Sequence, residues 1–147
     1  MDTIWILLAM AAGGCIALQA AANGALRTHL ADPRYAAFFS ICGTIATAAA
    51  LMIALRPSPP ALSAVRSAPW WHWIGGPLGT LFVFAGAALA PRLGAAAFIA
   101  AVVAGQLAGS LLLDHFGMMN LPQQTLTAGR MAGAALVLAG VLLVRYG

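Results

Sequence analysis

From Tyr35 to Leu55 the chain carries no charged side chain, and four other stretches are nearly as apolar: about 4–26, 70–90, 95–113 and 129–146. A helix rises about 1.5 Å per residue, so about 20 apolar residues cross the ~30 Å of hydrocarbon in a bilayer. In lipid the backbone has to pair its own polar groups, and a helix does so within one segment. The runs therefore predict an all-α membrane protein with five transmembrane helices. Composition agrees: 63% of the residues are hydrophobic and 7% charged, with seven Arg, three Asp and neither Lys nor Glu. A soluble domain of this length would expose far more charge. Asp2 stands where a signal peptide would be positively charged, which predicts a retained first helix.

The connections are short and full of helix breakers. RTHLADPR closes the first helix, RPSPP the second, and only PRLG separates the third from the fourth. Short connections place consecutive helices antiparallel and side by side, which predicts a single transmembrane domain over 1–147 with its termini on opposite sides.

Charge ought to orient such a bundle. Arg56, Arg66 and Arg130 fall on the side of the N-terminus, and Arg27, Arg34, Arg92 and Arg145 on the other. Three against four is almost no bias, whereas a fixed orientation goes with a clear excess of Lys and Arg in the cytoplasmic loops. Either one extra Arg, lipid or a partner decides, or the chain inserts both ways and pairs with an inverted second copy, supplying the inverted symmetry of larger transporters. The net charge of +4 is spread singly along the chain, next to lipid headgroups, so nucleic acid is not an expected partner. Cys15 and Cys42 match no metal or redox spacing and read as reduced. No metal and no cofactor is expected.

Within the apolar runs, polar residues recur every four positions: Gln19, Asn23 and Arg27 in the first helix, and Gln106, Ser110 and Asp114 in the fourth. That spacing keeps them near one helix face. Each ladder has an amide at depth and a charge toward the rim. Polar groups at membrane depth face protein or water and tend to mark solute pathways. The alternative is plain hydrogen bonding between helices, worth about 0.6–2 kcal/mol; two matched ladders favour the pathway. Gln19, Asn23, Gln106 and Ser110 are thus the expected substrate path, with Arg27 and Asp114 as rim charges or partners of each other.

Gly75 and Gly79, Gly105 and Gly109, and Gly129 and Gly133 are spaced for close helix packing. Trp70, Trp71 and Trp73, with Trp5, read as interfacial anchors. His29 and His72 lack the setting of a metal ligand, and His115 beside Asp114 suggests a proton relay.

Several blocks resemble the YdcZ-type family of small bacterial membrane proteins in the drug/metabolite transporter superfamily: Gln19, Asn23 and Leu26, then Pro33 and Ala36, WWHWIGGPLGT at 70–80, PRLGAAAF at 91–98 and GQLAGSLLLDHFG at 105–117. They are spread over nearly the whole chain. The resemblance implies a five-helix inner-membrane protein assembling as an antiparallel pair, and transport by analogy with the superfamily. Related small multidrug resistance proteins use a membrane glutamate to exchange protons for cations, and this chain has none. A path of Gln, Asn, Ser and Thr suits a neutral or zwitterionic solute, or an anion if Arg27 or Arg92 reaches it. An enzyme is not expected, because no nucleophile–base pair stands out. The sequence thus predicts an alternating-access transporter of a small polar solute, with membrane lipid, the solute and an inverted second copy as partners. A passive channel, or a structural subunit of a larger membrane complex, is the alternative.

Overall fold

The computed structural model describes residues 2–147, the side chain of Asp2 excepted. Its regular structure among these residues is all helical: α1 (Asp2–Leu30), α2 (Pro33–Leu55), α3 (Leu62–Ser67), α4 (Gly75–Leu93), α5 (Ala95–Phe116) and α6 (Ala128–Tyr146). Tight helical turns at Trp70–Trp73 and Met118–Asn120 precede α4 and follow α5. Five segments are long and apolar enough to span a membrane: Thr3–Leu30, Pro33–Leu55, Trp70–Leu93, Ala95–Phe116 and Ala128–Tyr146.

The boundaries have local causes. α1 runs on past Leu26 to Leu30 because nothing before Pro33 breaks it. Pro33 then holds Asp32 in an extended conformation (φ −149°, ψ 124°), and Ala31 takes a left-handed one (φ 57°). Asp32 caps α2, its carboxylate accepting from the Arg34 N–H at 2.8 Å. The expected helix start at Trp70 is instead a tight turn, and the regular helix begins at Gly75. PRLG does not wholly interrupt the chain: Pro91, Arg92 and Leu93 continue α4, and Gly94 (φ 85°) makes the break. The loop after α2 holds α3, which the apolar pattern does not announce.

The chain forms two compact units, one ending at Pro91 and the other Arg92–Gly147. In the first, α1 and α2 pack as a hairpin. The buried residues are small: Ala20, Asn23 and Gly24 of α1, Ala36 and Ala37 of α2, and Gly86, Ala87 and Ala90 of α4. Backbones therefore approach closely. A Cβ on Gly24 would lie 3.1 Å from Cγ of Pro91. These residues fall in the second half of α1, the start of α2 and the second half of α4, so the three helices are tightest at one end.

In the second unit α5 and α6 form a hairpin joined by residues 117–127. Ala97, Phe98 and Ala104 of α5 are buried, while no residue of α6 is. Large apolar side chains such as Met131, Leu136 and Leu143 lie exposed on α6. Such a surface suits lipid or another helix and not water.

Candidate functional site

Away from the tight end of the first unit, α1, α2 and α4 leave a groove of about 790 Å³. Its walls are mostly apolar, with Ile16, Ile41 and Phe82 among them, and its polar lining comes from Gln19, Thr44 and Thr80. Gly75, Gly76 and Gly79 line it too, their missing side chains leaving the space open. Gln19 also borders a second depression of about 520 Å³, which it shares with Ser40, Thr44 and Thr47. Gln19 thus stands opposite a hydroxyl stripe on α2. That stripe is a polar feature the amide ladders do not reveal, although its own 40, 44, 47 spacing is written in the sequence.

The hydroxyls are already oriented. Thr44 Oγ1 donates to the Ser40 carbonyl at 3.1 Å, Thr47 Oγ1 to that of Gly43 at 2.9 Å, and Thr80 Oγ1 to that of Gly76 at 3.1 Å. Their protons serve their own helices, and lone pairs remain for a ligand. The Gln19 amide makes no side-chain hydrogen bond among the described residues, so it keeps two N–H donors and a carbonyl free. Asn23 lies one turn further along α1, toward Arg27, and is only 6% exposed. It also lacks a side-chain partner among the described residues, yet no side-chain nitrogen or oxygen there is both sealed off and unpaired. The Asn23 amide therefore keeps an edge open to a small molecule such as water.

Each of the two rim charges has a partner within its own unit. Arg27 donates from Nη1 to the Ala88 carbonyl at 3.1 Å. Pro91 has no N–H and leaves the Ala87 carbonyl, next to the one Arg27 bonds, without its usual helical donor. Asp114 pairs with Arg130, Nη2 to Oδ2 at 2.5 Å, in the second unit. Arg130 also donates to the Gln124 carbonyl at 3.2 Å.

Residues 117–127 are tied down by the same cluster. The Gln124 N–H donates to the Asp114 carbonyl at 2.8 Å, the Leu126 N–H to Nδ1 of His115 at 3.3 Å, and Gln123 Nε2 to the His115 carbonyl at 2.9 Å. The Asp114 carboxylate is thus engaged by Arg130 and the His115 ring by Leu126, and no hydrogen bond joins the two side chains among the described residues.

The two ladders fall in different units: Gln19 and Asn23 in the first, Gln106 and Ser110 in the second, where both are exposed. The glycine pairs make no close approach inside their own units. Nothing in the first unit lies within 4 Å of a Cβ built on Gly75 or Gly79, nor anything in the second for Gly105, Gly109 or Gly133. Trp70, Trp71 and Trp73 are all exposed in their turn. Cys15 and Cys42 are free and exposed.

A family model described as "Putative inner membrane exporter, YdcZ" matches residues 4–143. The chain belongs to the YdcZ family. Among curated YdcZ relatives, inner membrane protein YdcZ of Escherichia coli (strain K12) is 44% identical over 80 residues, or 54% of this chain. That match spans about half the relative's length, 53% of it. No solved structure matches significantly. With five segments able to span a bilayer, this YdcZ-family chain is a multi-pass inner-membrane protein, and the description of its family is that of a membrane exporter.

Proposed function

We propose that the protein moves a small polar solute across the inner membrane by alternating access, working as a pair of oppositely oriented copies. The observation that carries this reading is the groove of the first unit, where the unpaired Gln19 amide meets the hydroxyl-bearing face of α2 inside an apolar wall. Asn23 extends the path toward the Arg27 rim. Gln106 and Ser110 join it when a second chain covers α5, because exposed polar groups on a spanning helix are costly against lipid. Arg27 and Asp114 are fixed rim charges, held by the Ala88 carbonyl and by Arg130. The near balance of Arg on the two sides supports dual insertion.

The test is flux in proteoliposomes. A transporter gives saturable solute flux that Gln19→Ala lowers about tenfold, whereas a channel gives flux that does not saturate and a structural subunit gives none. Orientation is read separately, by labelling single cysteines at Ser58 and at Gly147 on a chain lacking Cys15 and Cys42. Labelling of each from both faces supports the inverted pair, and labelling of each from one face excludes it.

A further inference from the structure

The groove offers hydrogen bonds without charge. Gln19 contributes two donors and an acceptor, and Thr44 and Thr80, whose protons go to Ser40 and Gly76 carbonyls, contribute acceptors only. The other side chains of the wall are apolar, and Gly75, Gly76 and Gly79 add backbone from the first turns of α4. No charged side chain is among its lining residues; Arg27 donates to the Ala88 carbonyl, and Arg34 forms an ion pair with Asp32 at the rim. An ion entering such a lining would lose its hydration without gaining a counter-charge. A molecule with an apolar body loses nothing against the walls, and one planar donor–acceptor head matches the Gln19 amide group for group. At about 790 Å³ the space is many times the ~30 Å³ that a water molecule occupies in the liquid, so it suits a ligand and not merely bound water.

We infer that the groove selects a neutral amphipathic solute, with an apolar body and one amide-like hydrogen-bonding head, and rejects cations and anions alike. The inference rests on the transport reading and narrows it, since the ladders alone leave zwitterions and anions open. The groove contains no group that would couple such a solute to the membrane potential.

Benzamide, benzoate and benzamidine share one ring and nearly one shape while carrying a neutral, an anionic and a cationic head. Equilibrium dialysis of each labelled compound against the full chain in nanodiscs of zwitterionic lipid, with empty nanodiscs as the blank, measures the selection directly. Benzamide is expected to bind saturably and about tenfold or more tighter than either ion. Gln19→Leu should weaken benzamide about tenfold, as loss of a buried hydrogen-bonding group does. Gln19→Glu should turn the preference toward benzamidine. Benzamide binding that does not saturate above the blank, an ion bound as tightly as benzamide, or an order unchanged in both variants overturns the inference. Benzamide that binds with this selectivity but gives no saturable flux defeats the transport reading and leaves the groove's selectivity standing.

Discussion

Gly24 and Gly105 look alike in sequence, each a glycine in an apolar helix, yet within its own unit only Gly24 meets a neighbour, the Pro91 ring. A bulky side chain there has to push α1 from α4. Gly24→Val is expected to lower stability by about 1–3 kcal/mol, the usual range for overpacking, read from thermal unfolding in detergent. Ala31 is the opposite case. Its left-handed φ of 57° costs a residue bearing a Cβ about 1–2 kcal/mol, while glycine adds about 0.4–1 kcal/mol of unfolded-chain entropy. The first effect is larger, so Ala31→Gly should stabilise the chain by roughly 0.5–1 kcal/mol in the same measurement. Neither effect was legible in advance. A glycine's spacing says that approach is permitted, not where the partner lies, and Ala31 turns left-handed where α1 ends, just before the extended Asp32.

At the scale of helices, the apolar runs announced all five spanning segments because lipid leaves the backbone few choices, and the differences lie at their ends. The tryptophan turn, α3 and the continuation through Pro91 depend on local backbone geometry that hydropathy does not record. The α2 cap titrates. Hydrogen bonds from Arg34 hold the Asp32 carboxyl below its ordinary value of 3.8. A group depressed in the folded state stabilises it above the unfolded value. The contribution is therefore complete at neutral pH and is lost as pH falls from 3.8 through the lower folded value. Asp32→Asn should remove this acid-dependent step, seen as a flatter dependence of melting temperature on pH below about 5. The segment between α5 and α6 has its own fastening in Arg130. Arg130→Gln should cost only about 1 kcal/mol, since both partners are about 30% exposed, but it should speed hydrogen exchange at Gln124 and Leu126 several-fold.

For the whole molecule, the amide ladders of α1 and α5 were legible as polar features, but which ladder meets which depends on packing that periodicity leaves open. Chain orientation can be tested through the same few arginines that fail to decide it. Arg56→Gln with Arg66→Gln leaves one Arg on the side of the N-terminus against four on the other. Ser58→Arg, Ser67→Arg and Arg145→Gln together make it five against three. By the charge rule each design should insert predominantly one way, and the two in opposite senses. If the working unit is an inverted pair, either design alone should lose most of its flux in proteoliposomes prepared from cells expressing it. Co-expression of the two should restore flux to near the level of the unaltered chain, because each supplies the orientation the other lacks. A parallel assembly or a working monomer behaves differently, with each design active alone and the mixture no better than their mean.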